Sequence, residues 1–128
     1  MLELNFNPFP ILTGKRLVLR QITIKDAHAL YELRSSEVVM RYIDKPLAKT
    51  VHDAVELIEK IMDNLTYNEG ITWAICLAED MRMIGTIGFY RFKKEHYRAE
   101  IGYLLLPEFH GRGIMFEAIQ LVVQFGFK

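Results

Sequence analysis

The sequence predicts an α+β domain: a mixed α/β architecture with a mostly antiparallel sheet flanked by helices, in the order β-α-α-α-β-β-β-α. Three observations lead there. Strand-like segments of period two occur at 11–22 and again, close together, over 71–106. An apolar stripe of helical period runs through 51–67, and a strongly apolar helical segment follows at about 112–127. The chain has 128 residues, 51% of them hydrophobic, which suits one domain with a real core.

The elements follow in order. Two prolines and two asparagines among the first ten residues mark an irregular lead-in. "ILTGKRLVLRQI" (11–22) reads as a strand, with Leu17 and Leu19 on one face and Arg16, Val18 and Arg20 on the other. Thr23 and Asp26 make a T-x-x-D helix start, behind which Ala27, Leu30, Tyr31 and Arg34 fall at helical spacing. "SSEVVMRYI" (35–43) is expected to be a short second helix, broken after Pro46. Thr50 and Asp53 repeat the start signal for 51–67, whose stripe is Ala54, Leu57, Ile58, Ile61, Met62 and Leu65 and whose end is marked by "NEG" (68–70). "ITWAICLAE" (71–79) and "MIGTIGFYRF" (83–92) are hairpin partners across "DMR", and "KKEHYR" (93–98) is a polar connection to the strand "AEIGYLLL" (99–106). The last helix carries Glu117, Gln120, Gln124 and Lys128 on one narrow stripe, so burial around most of its circumference is expected.

Composition excludes several classes of function. Sixteen basic residues balance sixteen acidic ones, so nothing predicts a nucleic acid partner. No apolar run reaches membrane-spanning length, and the N-terminus lacks the pattern of a signal peptide. Cys76 is the single cysteine and reads as a small core residue, and this cysteine usage suggests a cytoplasmic protein. His28, His52, His96 and His110 are scattered without ligand spacing, so no metal is expected.

The chemistry concentrates at "FHGRGIMFEA", where Gly111 and Gly113 flank Arg112 between a strand and a helix. The first-turn amides of a helix have no internal partners and carry partial positive charge. Two residues without Cβ atoms let a phosphate reach those amides, and Arg112 adds a charge, a combination suited to a pyrophosphate. A Walker loop is excluded because no Lys-Ser or Lys-Thr follows Gly113, and Phe116 stands where the dinucleotide fingerprint needs its third glycine. The alternative is that the two glycines only permit a tight turn.

At these residues the chain resembles the GNAT family of N-acetyltransferases, and within it the branch that acetylates ribosomal-protein N-termini. The likeness is carried by "LTGKRLVLRQITIKDAHAL", "WAICLAEDMRMIGTIGFYRF" and, most specifically, "RAEIGYLLLPEFHGRGIMFEA". It implies acetyl-coenzyme A as substrate and a small-molecule or peptide amine as acceptor. The family loop Q/R-x-x-G-x-G/A maps onto His110, Gly111, Arg112, Gly113, Ile114 and Met115. Met115 departs from a small residue: binding survives if it points away from the ligand, and otherwise the pocket is narrowed. Glu100 matches the strand-four glutamate that serves as base in some members, and partial burial would raise its pKa. Its alternative is a structural carboxylate paired with Arg98 or Arg20. A backbone amide among Leu104, Leu105 and Leu106 is implied as the donor to the thioester oxygen. Arg41 and Tyr42 lie in the segment bordering the acceptor site, with a solvent-facing pair as the alternative. Trp73 is core or pocket wall. Tyr103 would contact substrate if this strand bulges as the family's does.

The family fold continues past the last helix with another strand, a helix and a terminal hairpin, so the resemblance implies a C-terminally incomplete domain over 1–128. Two consequences are expected: an unpaired edge on strand 99–106 and an uncovered face on the terminal helix, hence self-association through both. The rival to an active acetyltransferase is a catalytically weak or inactive binding or assembly module of the same fold, and a nucleotide-binding protein ranks third.

Overall fold

Leu12–Thr13 (β1) and Leu17–Gln21 (β2) form an antiparallel hairpin, so the expected single strand over 11–22 is two. The break is physical: the Gly14 amide donates to the Leu17 carbonyl at 2.8 Å and closes a tight turn through Lys15 and Arg16. A computed structural model of the chain describes residues 9–41, 43, 45–67, 69–91 and 99–126. The polar connection 93–98, Tyr42 and the last two residues lie outside them.

Behind β2, a 3-10 turn over Ile24–Asp26 leads into α1 (Ala27–Arg34), which buries Ala27, Leu30 and Leu33. Arg20 grips Asp26 with two nitrogens at 2.9 and 2.7 Å, and the same carboxylate accepts the Thr23 amide at 2.8 Å. One side chain thereby ties the strand to the start of the helix.

The helix expected over 35–43 does not form; the described residues there make turns. Ser36 Oγ accepts the Val39 amide at 3.2 Å and the Ser36 carbonyl accepts the Met40 amide at 3.0 Å, so a single capped turn forms but does not extend. Met40 is buried there while Val38 is exposed, too little apolar surface to recruit a helical face. The observed order is therefore β-β-α-α-β-β-β-α.

α2 (Val51–Thr66) begins as its sequence signal demands. The Asp53 amide donates to Thr50 Oγ1 at 3.3 Å, and the Asp53 carboxylate accepts the amides of Thr50 and Lys49 at 3.3 and 2.8 Å. β3 (Gly70–Leu77), β4 (Met83–Arg91) and β5 (Ala99–Leu105) complete an antiparallel sheet in sequential order, β1-β2-β3-β4-β5. β3 turns into β4 through Met81, held at φ 60°. α3 (Ile114–Gly126) closes the described chain.

Strand alternation assigns the layers. Leu19, Ile75 and Trp73 share a face, and there Phe125 of α3 meets the Trp73 ring edge-on at 5.5 Å. Arg20 and its partner Ala74 share the other face, where Asp26 and α1 lie and α2 packs on β3. The core is continuous across both layers, with Leu17, Leu19, Ile58, Ile75, Ile87 and Val122 sealed from solvent. α3 buries Ile114, Ala118 and Val122, yet Phe116 is 67% exposed, so the expected burial around most of its circumference is too generous.

Candidate active site

The site is built where β5 ends. Pro107–Phe109 form a single 3-10 turn that buries Phe109 and delivers the chain to His110. The His110 ring donates from Nε2 to the Leu105 carbonyl at 2.9 Å, fastening the loop back onto the strand it has just left. Gly111 and Gly113 then take φ of 75° and 73°, the left-handed region that side-chain-bearing residues avoid. Their pairing turns the chain from the 3-10 turn into the start of α3. At Gly111 nothing lies within 4 Å of the position a Cβ would take, so the loop is open on that side. His110, Gly111, Arg112 and Gly113 are all exposed, while Ile114 is buried and Met115 packs against the core.

Met115 is half-buried and packs against the core. Arg112 does not extend over the loop: its guanidinium stacks 5.7 Å from the Phe109 ring centroid, and Arg82 from the β3–β4 turn lies at the same distance from that ring. The cation beside the glycines is another one. Arg16 Nη2 lies 3.6 Å from where a Gly113 Cβ would be. Arg16 also donates from Nη1 to the Arg112 carbonyl at 2.8 Å, from Nε to Glu117 Oε1 at 3.0 Å and from its amide to Glu117 Oε2 at 3.1 Å. Partial burial works to raise the Glu117 carboxyl, but the hydrogen bonds from the Arg16 amide and guanidinium outweigh it and hold the group below its ordinary range. Gly14 makes room for this, since a Cβ there would overlap Glu117 Oε2. Nothing in the sequence pattern pointed to Arg16, because its partners stand 96 and 101 residues away.

The remaining expected residues are distributed as follows. Leu106 donates its amide to the Ile84 carbonyl at 3.0 Å and so belongs to the sheet. Antiparallel alternation turns the next amide back, that of Leu105, to the opposite side of β5. There, among the described residues, the strand has no neighbour. Leu104 is half-buried and Leu105 buried. The β4–β5 register runs without a shift from Arg91↔Ala99 to Gly85↔Leu105, so the bulge expected in β5 is absent from this stretch; the shift lies instead between β3 and β4, at Ile75/Cys76. Positions 100 and 103 therefore keep opposite parity, and Tyr103, 51% exposed, is not brought to the side of Glu100. Glu100 pairs with Tyr90 in the ladder, and its side chain lies outside the described part of the structure. Arg20, one partner considered for it, is held by Asp26, and Arg98 is not among the described residues.

Trp73 is a core residue rather than a pocket wall: it is fully buried, donates from Nε1 to the Pro10 carbonyl at 2.9 Å and packs edge-on with Phe9 and Phe125. Arg41 is exposed in the turn after α1, and its neighbour Tyr42 lies outside the described residues. No helix among the described residues is long and apolar enough to cross a membrane, and no three metal-ligating side chains among them come together.

Known proteins share this fold. The chain is 39% identical over 120 residues to the uncharacterized N-acetyltransferase YoaA of Bacillus subtilis (strain 168), a match covering 94% of this chain and 68% of that protein. The solved structure of a GNAT-family acetyltransferase from Bacillus anthracis has a TM-score of 0.78 at 27% identity, over 92% of this chain and 66% of that one. RimL, a ribosomal α-N-protein acetyltransferase solved in complex with coenzyme A, shares the fold at a TM-score of 0.78 and 20% identity, over 91% of this chain and 67% of its own. The chain thus spans about two thirds of the length of the proteins it matches. The acetyltransferase (GNAT) domain is matched over residues 16–128, and with that match the chain belongs to the GNAT acetyltransferase family.

Proposed function

We propose that this chain carries the acetyl-CoA site of an N-acetyltransferase that moves an acetyl group to an amine, a protein N-terminus or a small molecule. The observation that carries the reading is the pair of left-handed glycines, Gly111 and Gly113, leading into the first turn of α3 after the short turn that follows β5. The amides of Gly113, Ile114 and Met115 begin a helix and have no carbonyl one turn back to bond, which suits a pyrophosphate. Met115 leaves the cradle clear by packing on the core.

In the reaction, the amine nitrogen forms a bond to the thioester carbon and the carbon–sulfur bond breaks. The amine must attack as the neutral form, so it gives up a proton, and Glu100 on β5 is the group assigned to receive it. Negative charge gathers on the thioester oxygen during attack. The Leu105 amide, turned to the open edge of β5, is the favoured donor to it. The departing thiolate takes up a proton. The acceptor class rests on family membership and on the name of RimL, which modifies a protein α-amine.

Thermal unfolding with coenzyme A and with dephospho-coenzyme A tests the reading. At about a hundred times its dissociation constant, coenzyme A should stabilise the fold by roughly 2.7 kcal/mol. An unchanged midpoint in a folded sample would refute it. The reading also includes self-association through the β5 edge and α3, supported by β5 having one neighbour among the described residues and by the exposed Phe116. Sedimentation should give a concentration-dependent mass, and a monomer at high concentration would overturn that part.

A further inference from the structure

We infer that Arg16, far from the loop in sequence, is the positioning residue that holds the acetyl-CoA pyrophosphate loop in its anion-receiving form. The inference rests on the reading of that loop given above.

The argument begins with the Arg112–Gly113 peptide. A glycine on each side of Arg112 leaves this peptide unusually free to rotate. The peptide unit is planar, with the Arg112 carbonyl and the Gly113 N–H pointing in opposite directions. Fixing one fixes the other. Arg16 Nη1 holds the carbonyl at 2.8 Å, so the Gly113 N–H is held facing the opposite way. A flipped peptide would present a carbonyl oxygen where the phosphate needs a donor.

Charge adds a second reason. Glu117 lies in the first turn of α3, where its carboxylate would repel an incoming phosphate. Arg16 engages both of its oxygens, at 3.0 and 3.1 Å, and neutralises it. Three donors of this one residue, Nη1, Nε and the backbone amide, do both tasks, and Gly14 leaves the space that Glu117 Oε2 occupies. The Arg16 side chain is half exposed and its Nη2 borders Gly113, so the guanidinium forms a wall of the cradle.

The test is calorimetric titration of coenzyme A into the wild-type chain, Arg16→Ala, Arg16→Lys and the double variant Arg16→Ala/Glu117→Gln, with the Gly113 amide followed by NMR. Arg16→Ala should lose at least tenfold in affinity and shift the Gly113 amide resonance while the fold stays intact. Arg16→Lys keeps the charge but not the fork, and should still lose severalfold; it carries the test if Arg16→Ala does not fold. The double variant should stay weak, because removing the Glu117 charge does not restore the peptide anchor. Affinity within twofold of wild type in either single variant overturns the inference. Full recovery in the double variant does too, since Arg16 would then only neutralise Glu117. A wild-type chain that binds no coenzyme A removes the parent reading instead, and the inference with it.

Discussion

Gly113 concentrates the residue-scale physics of this protein. Its φ of 73° would strain any other side chain, whereas the nearest atom to a new Cβ, Arg16 Nη2 at 3.6 Å, is only in ordinary contact. Gly113→Ala is therefore expected to act through the backbone, costing about 1–2 kcal/mol. The thermal midpoint should fall by a few degrees, and coenzyme A affinity should fall with it. An unchanged midpoint would show that the loop relaxes at no cost. The glycine pair was legible in the sequence because its rule is local: two residues without Cβ at a strand-to-helix junction. Arg16 was not, although it makes more contacts to the site than Arg112. A partner 101 residues away leaves no periodic trace, and Glu117 read only as one member of a polar stripe. Trp73 left core and pocket wall open in the sequence, because an indole buried with its N–H satisfied by Pro10 looks the same in one dimension.

At the scale of elements, what was legible were the segments whose driving force is their own pattern. α2 has both a capping box and a continuous stripe, and it forms within one residue of the expected bounds. The strands β3, β4 and β5 follow the same logic, each within two residues of its expected ends. Misreadings cluster where the pattern of a segment alone does not decide its backbone. The 11–22 run alternates well, but alternation does not reveal that Gly14 folds the run back on itself. The 35–43 segment has apolar residues at passable spacing and Ser36 caps one turn, but the turn does not extend into a helix. The absent bulge in β5 is a third case: register is set by the neighbouring strand, and neither strand's sequence encodes it alone.

For the whole molecule, the carboxylates predict an acid limit. Burial works to raise Asp26, but hydrogen bonds from Arg20 and from the Thr23 amide outweigh it and depress the group. Glu117 is depressed by Arg16 in the same sense. A group whose pKa is lower in the folded chain binds its proton more readily when unfolded. The stability it contributes is complete above the unfolded value, about pH 4, and is lost as pH falls through the folded value. The thermal midpoint should therefore hold from neutrality to about pH 5 and decline below about pH 4. Asp26→Asn should unfold earlier than wild type at pH 7, and the gap between the two should narrow towards pH 3. A gap that stays constant over that range would mean that the Arg20–Asp26 pair contributes nothing through its charge.

The Arg16–Glu117 link also orders events in time. Residue 16 leaves the ribosome long before residue 117, and a nascent chain that stops short of Glu117 lacks half of the clasp. Joining ends so far apart is entropically expensive, whereas the β3–β4 hairpin closes over a handful of residues. A nascent chain can thus own a finished hairpin while its glycine loop still lacks the arginine's hold. The clasp can close only after the first turn of α3 has been made, so the glycine loop is fixed later than the hairpin.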